Sequence, residues 1–234
     1  MSSQASPRDL LAALRAEEPK FHRTYTTGEP AGSQNFQINY EVLEWLIDNL
    51  PSDARALETG CGYSTVVLAA TCSSVATFSP DPEEHKLIAQ WCGDHGLPTD
   101  HVDFQAGFSQ DLLPGFDAGP LDLVIVDGDH AFPAPVIDWY YTADSVKAGG
   151  CVIVDDTQIP SGGILRDFLH EETDRWSIAA TMTKTSIFRR ETEEPVARGV
   201  HWVHQPYCCV KDGGVATIPG RAIRKLGRIL NRES

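Results

Sequence analysis

The apolar residues change their period at Pro51. Before it, Leu43, Leu46, Ile47 and Leu50 recur at i, i+3, i+4 and i+7 within Asn39–Leu50, the stripe of a helix laid on a sheet. Pro51-Ser52-Asp53 ends that helix. Beyond it, short apolar runs alternate with helix-length segments, which predicts strands near Arg55–Glu58, Ser74–Phe78, Val102–Gln105, Leu121–Val126, Cys151–Val154, Ile178–Met182 and Thr185–Arg189. The first five alternate with helices, as parallel strands joined by crossovers do. Only Thr183-Lys184 separates the last two, too little for a crossover, so they form an antiparallel hairpin. The expected architecture is α/β: a seven-stranded, mostly parallel sheet with helices on both faces and a C-terminal antiparallel hairpin.

Three stretches divide the chain. Residues 1–38 are polar, with one short helical candidate around Leu10–Ala16, and read as an N-terminal arm or lid. Residues 39–194 form the main domain. Residues 195–234 are a C-terminal extension in which Arg221, Arg224, Lys225, Arg228 and Arg232 interleave with Ile223, Leu226, Ile229 and Leu230 on a basic amphipathic helix. That helix reads either as a surface-packed terminus with solvated arginines or as a docking surface for an anionic membrane or partner.

At 234 residues and 41% hydrophobic content, one well-buried domain is affordable. No apolar run reaches the roughly eighteen residues of a membrane helix, and MSSQASPRDL lacks the regions of a secretory signal, so a cytoplasmic protein is expected. The six cysteines contain no C-x-x-C pair, which favours reduced thiols over zinc or disulfides. A net charge of -14 repels phosphate backbones, so a small-molecule substrate is expected rather than nucleic acid. A homo-oligomer stays open.

Glu58-Thr59-Gly60-Cys61-Gly62 joins the first strand to a helix beginning near Ser64 or Thr65, both competent N-caps. The glycines let the backbone turn tightly and approach a ligand. A dinucleotide fingerprint wants a third glycine where this chain has Thr65. The Glu58 carboxylate suits a ligand with an ammonium group, and the backbone N–H groups of the turn suit its carboxylate; S-adenosylmethionine presents both.

With this loop, five strands in order and the terminal hairpin, the chain resembles the class I S-adenosylmethionine-dependent methyltransferases, which have a Rossmann-like fold. The resemblance spans roughly residues 39–190. It implies cofactor contacts from Glu58, Gly60, Cys61, Gly62, Ser64 and Thr65, and an acid at the end of the second strand for the ribose. There the chain reads Phe78-Ser79-Pro80-Asp81, so Ser79 or Asp81 is left to make that contact. Gly107-Phe108-Ser109 falls where such enzymes hold adenine, with Phe108 either a stacking surface or a core residue.

The fourth strand ends in Asp127-Gly128-Asp129-His130 and the fifth in Asp155-Asp156. Parallel neighbours are about 4.8 Å apart, so Asp127, Asp155 and Asp156 can converge and demand a cation, Mg²⁺ or another hard divalent ion. Each aspartate also suits a turn or helix cap. The two motifs together resemble the Methyltransferase-24 group and the macrocin- and novobiocin-type sugar O-methyltransferases. That resemblance implies Mg²⁺ on Asp127, Asp155 and Asp156, and Asp129 as general base; Asp127 also counts among the cofactor contacts. His130 is the alternative base, or a plain loop histidine. The implied reaction is metal-assisted O-methylation of a diol, catechol or sugar. Metal-free methylation of another nucleophile, and a non-catalytic cofactor-binding module, are the competing readings.

Overall fold

The computed structural model describes residues 5–23 and 29–209; the basic helix expected around Arg221–Arg232 lies outside the described residues. Strands β1 (Arg55–Thr59), β2 (Ser74–Ser79), β3 (Val102–Ala106), β4 (Leu121–Val126), β5 (Val146–Val154), β6 (Trp176–Met182) and β7 (Thr185–Arg190) form one sheet in the order β3-β2-β1-β4-β5-β7-β6. β1 to β5 run parallel, and β7 is antiparallel to both β5 and β6. The predicted hairpin is therefore present, inserted so that its second strand pairs with β5.

β5 begins five residues before the expected Cys151. Its first half, Val146-Lys147-Ala148-Gly149-Gly150, has no apolar run to announce a strand, and it pairs with Leu121 across an irregularity in register. Residues 123–126 of β4 and 151–154 of β5 are apolar without a break because both faces are covered. Leu123, Ile125 and Ile153 enter one core and Val124, Val126, Val152 and Val154 the other.

The first core takes helices α1 (Pro7–Glu17), α2 (Tyr40–Asn49), α3 (Tyr63–Thr71) and α4 (Pro82–Asp94) through residues such as Leu14, Leu43, Val67 and Ile88. The second takes α6 (Ala134–Thr142) and α7 (Pro160–Glu171) through Trp139, Leu165 and Leu169; the short α5 (Ser109–Leu112) follows β3. α1 is a packed element rather than a free arm. Ser6 and Asp9 cap its start reciprocally, and Leu10, Leu11 and Leu14 are buried.

After β7 the chain is held by Arg190, whose buried guanidinium donates to the carbonyls of Ala143, Asp144, Thr192, Glu193 and Glu194. Sheet order matters most for function. The chain winds outward from β1 to β3, then crosses to β4, so the carboxyl ends of β1 and β4 lie side by side where the winding reverses. Crevices in open α/β sheets form at that point. Among the described residues no helix is long and apolar enough to cross a membrane.

Candidate active site

The loops after β1 and β4 are packed against each other. Gly60 has φ 87°, and a Cβ on it would lie 2.3 Å from the Asp127 carbonyl oxygen. Gly60 N–H donates to Phe78 O at 2.8 Å, Thr77 Oγ1 donates to Gly60 O at 2.9 Å, and Asp127 N–H donates to Thr59 O at 3.2 Å. Glycine is required here by contact as well as by conformation. A cavity of about 840 Å³ opens above these loops.

Of the sequence-predicted cofactor residues, Gly60, Cys61, Ser79, Phe108, Ser109 and Asp127 line this cavity. Phe108 is 49% exposed, so it is a free apolar surface rather than core. Glu58 is turned elsewhere. It is 1% exposed, and its carboxylate accepts a hydrogen bond from Thr65 in the first turn of α3, whose hydroxyl also receives Gly62 N–H at 2.8 Å. Ser64 and Thr65 are buried in the same turn. Burial pushes the Glu58 carboxyl up to about 7, against hydrogen bonds from Ser64, Thr65 and Thr77. Gly107 serves a local close approach, since a Cβ there would meet Leu112 at 2.8 Å.

The end of β2 holds a residue the sequence did not single out. Ser79 donates to Glu84 Oε2 at 3.1 Å, Cys61 Sγ lies 3.6 Å from the same oxygen, and His22 Nδ1 is 3.4 Å away. Glu84, from the first turn of α4, thereby brings a carboxylate to the strand end that lacks one. Burial disfavours its charge, yet His22, Ser79 and the Arg23 amide hold its pKa below the ordinary value. Asp81 is committed to capping α4 through Glu83 N–H at 3.0 Å and to an ion pair with Arg23. His22, Asn35, Phe36 and Gln37 complete this wall, and Gln110 follows Ser109 along the floor.

The acidic cluster differs in membership from the expectation. Ligand atoms of Asp127, His130 and Asp156 all lie within 4.8 Å of one another. His130 Nε2 is 3.1 Å from Asp156 Oδ2 and 4.0 Å from Asp127 Oδ1. Asp155, expected as a third metal ligand, is 2% exposed and faces the hairpin instead: Thr185 donates to its Oδ1, and Lys184 Nζ is 3.0 Å from its Oδ2. Lys184 also reaches Asp156 Oδ1 at 2.8 Å. Asp156 has φ 49°, a left-handed conformation unusual for aspartate, and Gly162 leaves room for its carbonyl.

Burial, then the charges of Asp155 and Asp156, raise the Asp127 pKa well above the carboxylate range. Hydrogen bonds from His130 and Lys184 hold Asp156 well below it. Burial works against the Lys184 ammonium, but Asp156 and Asp155 outweigh it and set its pKa at about 12. Asp129 is exposed at the cavity wall, its Oδ1 accepting Ala131 N–H at 2.8 Å.

Residues 57–157 match the family described as Methyltransferase domain. The chain is 34% identical over 194 residues to catechol O-methyltransferase of Mycobacterium tuberculosis, covering 78% of this chain and 84% of that one. Its fold resembles that of the O-methyltransferase NovP, with a TM-score of 0.60 at 16% identity over 80% of this chain and 98% of that chain. It also resembles TomG of Streptomyces achromogenes, solved with S-adenosylmethionine, with a TM-score of 0.54 at 16% identity over 82% of this chain and 92% of that chain. Fold and sequence together define an S-adenosylmethionine-dependent methyltransferase. The chain belongs to the Methyltransferase-24 family, and the relatives named are O-methyltransferases.

The raised pKa of Glu58 has a measurable consequence. An acid whose folded pKa exceeds its unfolded value binds more protons in the native state, so stability falls as pH rises from about 4.5 to about 7. Glu58→Gln removes that loss. Relative to the parent, the variant is expected to gain roughly 2 to 3 kcal/mol between pH 5 and pH 8 in urea unfolding. Parallel stability curves for the two proteins would contradict the assignment.

Proposed function

We propose that this enzyme transfers the methyl group of S-adenosylmethionine to one of two adjacent hydroxyls on a small acceptor, a catechol or vicinal diol, with a divalent cation at Asp127, His130 and Asp156. The observation that carries the reading is the convergence of these three donors on the cavity that also contains the Gly60-Cys61 loop. The donor set fits such an ion: two carboxylates supply charge and an imidazole supplies a third ligand. The mycobacterial relative, named for catechol, supports the acceptor class.

A divalent cation supplies positive charge that favours ionisation of an acceptor hydroxyl. The chain's own residues do the rest. The Gly60-Cys61 turn receives the amino-acid end of the cofactor, and Phe108 and Gln110 bracket its adenine. Glu84, supported by Ser79, accepts from the ribose hydroxyls; a carboxylate can take both. Asp129 accepts the acceptor's proton. As the oxygen forms its bond to the methyl carbon, the carbon–sulfur bond breaks and its electron pair returns to sulfur. S-adenosylhomocysteine leaves.

Three results test the assignments. Asp129→Asn is expected to lower kcat for a catechol by roughly 10²- to 10⁴-fold, the usual contribution of a positioned base, with S-adenosylhomocysteine affinity unchanged. EDTA should abolish turnover and Mg²⁺ or Mn²⁺ restore it; EDTA-indifferent turnover would remove the cation from the mechanism. Glu84→Gln is expected to weaken S-adenosylhomocysteine binding by roughly 10- to 100-fold, the range for a lost charged hydrogen bond. An effect no larger than that of Asp81→Asn would assign the ribose elsewhere.

A further inference from the structure

The floor of the cavity rests on a buried acid that the proposed reaction does not use. Asp138, on α6, is fully buried, and Ser109 Oγ donates to its Oδ1 at 2.7 Å. Its Oδ2 is buried with no hydrogen-bond partner. A group of this kind destabilises a fold, and its presence needs a reason in the site it touches. Ser109 lines the cavity between Phe108 and Gln110, where the reading above puts the cofactor's adenine. Burial pushes the Asp138 carboxyl up to about 6, against the Ser109 hydrogen bond, and Asp129 adds a like charge. At neutral pH the group is therefore an anion, which accepts hydrogen bonds and donates none. Ser109 has one hydroxyl proton to give. Its other neighbour, Gln110 Oε1, is 3.3 Å away, so the closer and charged oxygen of Asp138 takes that proton.

Resting on that placement of the adenine, we propose that Asp138 is a positioning residue for base recognition: by taking the Ser109 proton it presents the hydroxyl oxygen to the cavity as an acceptor, matched to the 6-amino group of adenine. A base with a 6-oxo group brings an acceptor to the same place, and two acceptors repel. Asp138 and Ser109 together thereby select the adenine cofactor over its deaminated form, in which hypoxanthine replaces adenine. A site built to pair a particular hydrogen-bonding group rejects the analogue that lacks it, because its own polar group is then left unpaired. Asp138 lies behind Ser109 and touches neither substrate. It acts by fixing the direction of one proton.

Calorimetric binding of S-adenosylhomocysteine and of S-inosylhomocysteine, its 6-oxo counterpart, tests this without turnover. The two ligands differ only in the base, so the ratio of their dissociation constants cancels general damage to the site. The parent is expected to bind the adenine form tighter by about tenfold or more, the worth of one hydrogen bond. Asp138→Leu removes the acceptor and frees the Ser109 proton, and should bring the two affinities to within about threefold of each other. If Asp138→Leu weakens both ligands equally and keeps the parent's ratio, Asp138 is only structural and the proposal is overturned. A parent that binds both ligands alike overturns it too. Phe108→Ala reports on the adenine placement itself and should weaken both ligands by about tenfold, the worth of a stacked base. No effect of Phe108→Ala on either ligand overturns that placement and the proposal together. A second measurement needs no variant to fold: neutron diffraction of the parent with S-adenosylhomocysteine should find the Ser109 deuteron on the line to Asp138 Oδ1. A deuteron directed at the base or at Gln110 overturns the proposal.

Discussion

The approach of Gly60 to the carbonyl of Asp127 is the constraint on which the rest of the site depends. A Cβ at position 60 has no space, so the loops after β1 and β4 meet at backbone distance. The parallel pairing of these two strands brings their ends together, and the hydrogen bonds from Gly60 to Phe78 and from Asp127 to Thr59 lock them. One loop carries the turn suited to a cofactor. The other carries Asp127, Asp129 and His130. In the proposed reaction, methyl donor and acceptor hydroxyl must be held within bonding reach in a single geometry, which is the role the joined loops are given there.

Around that junction, charge is distributed by which element each side chain comes from. Glu84 rises from α4 to the end of β2 and is balanced by His22 from the N-terminal segment. Asp155 is drawn toward the hairpin by Thr185 and Lys184, while Asp156 stands between Lys184 and His130. The N-terminal segment is thus part of the cavity wall. The hairpin that completes the sheet also supplies the lysine of the acidic cluster.

Much of the fold was legible because residues 123–126 of β4 and 151–154 of β5 are unbroken apolar runs and α2 shows a single stripe. The start of β5 was not, since Lys147 and the glycines at 149 and 150 carry no strand pattern. The site was legible in position and less so in direction. Glu58 stands at a strand end as expected, but its side chain enters the first turn of α3. Asp155 and Asp156 are consecutive, so they diverge, and His130 takes the place given to Asp155 among the converging donors. Glu84 escaped notice because it is five residues beyond Ser79, on the next helix, where an acid in a first turn is ordinary. Lys184 was read only as a turn residue; its long side chain gave no signal that it would reach back over β5.

The central claim is that the two loops form one unit, so that breaking their contact disables both halves of the site. Gly60→Ala tests it, with S-adenosylhomocysteine and Mn²⁺ binding each measured by calorimetry on folded protein. The account expects both affinities to fall at least tenfold. Loss of cofactor binding with Mn²⁺ affinity unchanged would show two independent sites and contradict it.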